Sequence, residues 1–169
     1  MKVGYCVTPM PQLASYRLRV AIPAAHLSCD HAIGATGKPT FFYKNGDWRL
    51  AQALGTGVVY DVVNDHFRGG YAKDYHAMCD VADVITTSSE YMAEVVNHHT
   101  GRDATVIADP FENELSPPSC YGNGVLWFGH AANLKSLVPY LDKFPILVCS
   151  NIATAHVPWS LENEAKCLQ

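Results

Sequence analysis

Ala82-Asp83-Val84-Ile85-Thr86-Thr87-Ser88-Ser89-Glu90-Tyr91-Met92-Ala93-Glu94-Val95-Val96 passes from a β-branched run through a serine pair into apolar residues at helical spacing. Val84 to Thr87 favour an extended chain, while Tyr91, Met92, Val95 and Val96 fall on one helix face. Ser88 or Ser89 supplies the side-chain oxygen that the first turn of a helix needs, and Glu90 suits the positive end of its dipole. A nucleophilic role for either serine lacks the Gly-x-Ser-x-Gly turn. The stretch predicts a strand feeding a capped helix. Gly124-Val125-Leu126-Trp127-Phe128-Gly129-His130 starts the same switch again after a Pro- and Ser-rich break. One complete α/β unit and the opening of another are therefore expected.

Upstream, Val3 to Val7 reads as a first strand that opens into a loop at Thr8-Pro9-Met10-Pro11. Pro23 is acceptable only in the first turn of a helix, which places Arg17 and Arg19 just before that helix, on one side of an extended segment. His31 to Ala35 and Pro39 to Tyr43 are read as strands, and Gly46 to Leu54 as a helix closed by Gly55-Thr56-Gly57. Val58-Val59-Tyr60-Asp61-Val62-Val63 is continuous and β-branched rather than alternating, as a parallel strand covered on both faces should be. A helix over Tyr71 to Cys79, a helix over Ser89 to His99 and a strand over Thr105 to Ala108 complete the pattern. Strands alternating with helices at this interval predict an α/β fold: a Rossmann-like parallel sheet with helices on both faces, followed by an incomplete second βαβ unit. The expected boundaries are residues 1–112 for the first domain, 113–123 for a linker and 124–169 for the start of the second. There a strand at Val125 to Phe128, a helix within Leu134 to Phe144, a strand at Ile146 to Cys149 and a terminal helix from Leu161 are expected. Pro139 kinks the first of these helices or starts it late.

The 169 residues suffice for one well-buried core, since a domain near that size removes roughly 70% of its unfolded surface from water. A net charge of −4 with 49% hydrophobic residues favours neither disorder nor a nucleic-acid partner. The N-terminus meets Thr8-Pro9 too early for a signal peptide or a membrane span, so a cytoplasmic fold is expected. Six cysteines without a Cys-x-x-Cys pair suit reduced thiols, and the adjacent His98-His99 lack metal-ligand spacing, so no metal is expected.

Ligands of open parallel sheets bind outside the carboxyl ends of the strands. Thr8, Arg17, Arg19, Lys44, Asn64, Asp65 and His66 all fall there by sequence. Asp65 beside His66 suggests a carboxylate-oriented imidazole able to take a hydroxyl proton, against the plainer reading of a capped turn with an exposed histidine, which position alone favours. Asp61 lies inside an apolar strand, where an unpaired carboxylate is costly, so it should be paired or point into a cleft. Arg17 and Arg19 suit an anion or acceptor hydroxyls, or an ion pair. The absence of Gly-x-Gly-x-x-Gly after the first strand and of Gly-x-x-x-x-Gly-Lys argues against a dinucleotide dehydrogenase and an NTPase. Trp48, Trp127 and Trp159 are read as core residues.

Taken in order, Ser15-Tyr16-Arg17-Leu18-Arg19 with Pro23, Val59-Tyr60-Asp61 leading to Asp65-His66-Phe67, Ala82 to Ser89, Val106-Ile107-Ala108-Asp109-Pro110-Phe111-Glu112 and Leu126-Trp127-Phe128-Gly129 resemble the N-terminal half of a GT-B glycosyltransferase of the retaining, group 1 type. The resemblance implies an acceptor-side domain facing a nucleotide-sugar-binding domain across a cleft, with no bound metal or tightly held cofactor and a nucleotide-diphosphate sugar as donor. The strand-end residues Thr8, Arg17, Arg19, Lys44, Asp61 and Asn64 are then the candidate acceptor contacts and Asp65 and His66 the candidate catalytic pair, while the resemblance itself implies donor-phosphate contacts from His130 and Lys135. The Glu-rich donor motif of that family is absent, so this chain alone is expected to be a fragment or half of an enzyme, awaiting a missing C-terminal domain. The alternative from another class is a non-catalytic α/β binding module that dimerises through exposed strand edges.

Overall fold

The computed structural model describes residues 3–9, 11, 13–32, 38–44, 46–109, 125–128, 131–150 and 157–158. Two compact units divide the chain, Met1–Asn113 and Glu114–Gln169. The segment expected to link them, residues 113–123, lies outside the described residues, as do His130 and the terminal helix expected from Leu161.

In the first unit the strands are β1 (Gly4–Cys6), β2 (Asp30–Ala32), β3 (Thr40–Tyr43), β4 (Val58–Val62), β5 (Val84–Thr87) and β6 (Thr105–Val106). They form one parallel sheet in the order β2-β1-β3-β4-β5-β6. A helical run between β1 and β2 comprises α1 (Ala14–Tyr16), a π turn over Arg17–Ala21 and α2 (Ile22–His26). The later crossovers are α3 (Trp48–Leu54), α4 (Ala72–Val81) and α5 (Glu90–Thr100). This is an α/β, Rossmann-like arrangement.

Strand pleating sends successive side chains to opposite faces, and the core divides accordingly. Cys6, Phe42, Val58, Tyr60, Val62 and Ile85 pack with Ala51 of α3, Tyr75, Met78 and Cys79 of α4, and Met92 and Val96 of α5. Tyr5, Val7 and Tyr43 pack on the other side with Tyr16, Val20 and Ala24 of the α1–α2 run. Helices thus cover both faces, and all five β4 residues are buried, as a doubly covered parallel strand requires. The serine pair resolves at Ser89, whose hydroxyl accepts from the Met92 amide at 3.3 Å to cap α5. Gly101 ends α5 at φ 68°, a left-handed conformation that glycine adopts without the usual side-chain clash.

Several expectations are corrected. Arg17 and Arg19 do not precede the helix but lie within it, in the π turn, so they no longer share the side that an extended segment would have given them. Pro23 sits in the first turn of α2, as expected, yet the widened turn before it lets a helical run continue past the missing proline N–H. The strand expected to reach Ala108 ends at Val106, although the Ile107 amide still bonds the Thr87 carbonyl at 2.8 Å.

The second unit carries β7 (Val125–Phe128), β8 (Ile146–Ser150) and β9 (Val157–Pro158) in a parallel sheet of that order. The helix expected within Leu134 to Phe144 is instead two 3-10 segments, Ala131–Ser136 and Val138–Tyr140. Pro139 removes a donor from the middle of that stretch, and the tighter winding buries Leu137 while leaving Val138 and Leu141 exposed. Among the described residues no helix is long and apolar enough to cross a membrane.

Candidate functional site

Asp61 has its neighbours set by strand register. Parallel pairing puts it opposite Tyr43 on one side and Thr86 on the other, so the three share the sheet face that carries the α1–α2 run. The π turn hangs Arg19 over that row. Its Nε–H donates to Asp61 Oδ2 at 2.9 Å and Nη2 donates to Asp61 Oδ1, a bidentate fork. Nη1 donates to the Ile107 carbonyl and to Asp109 Oδ1, the latter at 3.2 Å. Thr86 Oγ1 donates to Asp61 Oδ1 at 2.7 Å. Arg19 is 9% exposed and Asp61 6%, so each charge depends on the other for solvation. Burial works against the Arg19 charge, but the hydrogen bond and charge of Asp61, helped by Asp109, more than offset it and hold its pKa above the ordinary value.

This network floors a partly open cavity of about 210 Å³. Its walls come mainly from Tyr5, Leu18, Pro23, Phe41, Tyr43 and Ile107. Tyr5 stacks on Phe41 with ring centroids 4.8 Å apart, and Tyr43 donates its hydroxyl to Ser15 Oγ at 2.6 Å. Burial pushes both phenols up to about 12, so the walls stay uncharged at neutral pH. Tyr5 is buried, and its hydroxyl makes no hydrogen bond to another described residue. Drug-sized ligands occupy pockets of about 300–1,000 Å³, so this volume suits a single ring-sized group.

Of the described residues singled out from sequence, the fold brings Arg19 and Asp61 into the cavity and no other. Thr8 is exposed beyond β1, and Arg17, half-buried, donates to the Pro11 carbonyl at 3.3 Å. Lys44 follows β3 with φ 54°, its ammonium 5.4 Å from the Tyr43 ring centre and its pKa lowered by burial. Asn64 and Asp65 are exposed at the carboxyl end of β4. Asp65 Oδ1 accepts from the Phe67 amide at 3.3 Å, while the His66 ring meets Tyr75 edge-on at 5.3 Å. The turn has the Asx hydrogen bond of the plainer reading, but His66 is half-buried against Tyr71 and Tyr75 rather than exposed. Lys135 is exposed in the first 3-10 segment of the second unit. His98 and His99 join a ring cluster with Phe67 and His76, and among the described residues no three His, Cys, Asp or Glu side chains are grouped to hold a metal.

Tyr5, Thr86 and Ile107 are cavity residues that the sequence reading did not select as site candidates. Strand period and register could have flagged Thr86 as the neighbour of Asp61; nothing local marks Ile107, which offers a backbone carbonyl. No family model, curated protein or solved structure matches this chain. The fold and site define a parallel α/β domain with a small aromatic-walled cavity over a buried arginine–aspartate pair.

Proposed function

We propose that the first unit is the acceptor-side domain of a nucleotide-sugar-dependent glycosyltransferase. The observation that carries this reading is the cavity: ring-sized, aromatic-walled, and floored by an arginine, a carboxylate and a threonine hydroxyl. A sugar offers apolar C–H faces for aromatic walls and hydroxyls for polar floor groups. The ordered likeness of the chain's segments to GT-B enzymes supports the same assignment. In the proposed reaction the acceptor hydroxyl oxygen bonds the anomeric carbon as the bond from that carbon to the diphosphate breaks. The hydroxyl proton passes to the departing nucleoside diphosphate. Asp65 and His66 lie outside the cavity and are not needed for that balance. Lys135 is the donor-phosphate residue this reading assigns to the second unit.

The test is acceptor-dependent release of nucleoside diphosphate from a panel of nucleotide hexoses. It is run on residues 1–169 and on a chain carried past Gln169 by its own gene. Release in either preparation, abolished by omitting the acceptor, is the expected outcome. No release in both, with glycosides still bound, replaces the enzyme with a binding module.

A further inference from the structure

The hydrogen-bond inventory of the cavity floor limits what the cavity accepts. A guanidinium has five N–H donors, and Arg19 commits four of them: two to Asp61, one to Ile107 and one to Asp109. The parallel N–H pair that recognises phosphate or carboxylate is occupied by Asp61, leaving a single donor. Asp61 in turn accepts three bonds, from Arg19 twice and from Thr86, out of about four its two oxygens can take. In formal charge, one guanidinium faces the carboxylates of Asp61 and Asp109, so the floor carries no surplus positive charge to attract an anion. Tyr5 lines the same cavity, makes no hydroxyl hydrogen bond to another described residue, and is protonated at neutral pH.

We propose that this cavity binds a neutral, hydroxyl-bearing ring and discriminates against phosphorylated or carboxylated rings, with Tyr5 as a specificity-determining contact. What Arg19 and Asp61 leave uncommitted is one donor and about one acceptor, a mixed remainder that suits ring hydroxyls, each of which both donates and accepts, better than an anion. A phosphate has only acceptors to offer and would meet the Asp61 carboxylate in the lining, while Asp109, paired with Arg19 outside the lining, further offsets the guanidinium charge. Arg19 is then a positioning residue that shapes Asp61 rather than an anion grip. This deepens the acceptor reading above and rests on it for the role of the occupant, not for its chemistry.

The test is titration of the 15N-labelled chain with methyl glucoside, methyl mannoside and methyl galactoside, and with glucose 6-phosphate and glucuronate. At least one neutral glycoside is expected to shift the Tyr5, Thr86 and Ile107 amides and to bind at least about tenfold more tightly than either anion, the scale of one or two hydrogen bonds. Tyr5→Phe keeps the ring and should weaken that glycoside about threefold to tenfold. Asp109→Asn, at a half-exposed position, should narrow the gap between neutral and anionic ligands. Equal or tighter binding of the anions, or no shift at these amides with any glycoside, overturns the proposal. Transfer to an anionic acceptor would sink this inference and spare the transferase, whereas neutral binding without transfer does the reverse.

Discussion

Asp61 shows how one residue out of pattern reports on its surroundings. A carboxylate within Val58–Val62 cannot stay ionised without a partner, so an ion pair or a cleft follows from the strand's composition alone. Which cation answers it does not follow, because Arg19 lies 42 positions away in sequence and meets Asp61 only through packing of the α1–α2 run on the sheet. Asp61→Ala removes the bidentate partner of the buried guanidinium, leaving it the half-exposed Asp109, and should cost about 3 kcal/mol in urea unfolding. The double variant Arg19→Met, Asp61→Leu should recover most of that loss, since apolar groups replace both buried charges. A single-variant loss below about 1 kcal/mol would mean that the pair behaves as a solvent-screened surface ion pair rather than a buried one. Asp65 and His66 illustrate the opposite limit. Adjacency in sequence suggested a catalytic pair, but neighbouring residues seldom face each other, and each side chain found its own partner.

Element type was most legible where local signals agreed. The strand Val84–Thr87 and helix Glu90–Thr100 follow from β-branching, a serine cap and apolar spacing acting together. The choice between the two serines is testable, because Ser89 accepts the Met92 amide. Ser89→Ala should lower stability by about 1 kcal/mol and speed amide exchange in the first turn of α5, whereas Ser88→Ala should stay within about 0.5 kcal/mol. Equal losses at the two serines would dismiss the capping assignment. Elements were misread where a proline sat inside a periodic run. Pro23 is expected to begin its helix, yet a π turn before it continues the helical run. Pro139 is expected to kink or delay a helix, but it sits inside the second of two 3-10 segments, Val138–Tyr140. Proline states what a backbone cannot do; which of the remaining solutions is adopted depends on the packing around it.

The whole molecule couples the cavity walls to alkaline stability. Burial raises Tyr5 and Tyr43 to about 12 and also raises Tyr60 and Tyr75, all buried, while an unfolded phenol titrates near pH 10. Their folded forms hold the proton more tightly, so their contribution is fully present below pH 10 and is lost as pH rises towards 12 and beyond. Urea midpoints should therefore fall from about pH 10 upward, and Tyr43→Phe should flatten that fall. An unchanged slope would show that Tyr43 does not link proton release to unfolding. Composition, β-branched runs and turn residues determined, without coordinates, that this chain builds a parallel sheet clothed by helices, because those preferences act over a few neighbouring residues. They also established that Asp61 required company. Strand order, the assignment of each helix to a face, and the gathering of Arg19, Asp61, Thr86 and Ile107 around one cavity were decided only in three dimensions. Those features depend on contacts between residues up to 88 positions apart, and no local preference encodes which distant side chain will be there to meet another.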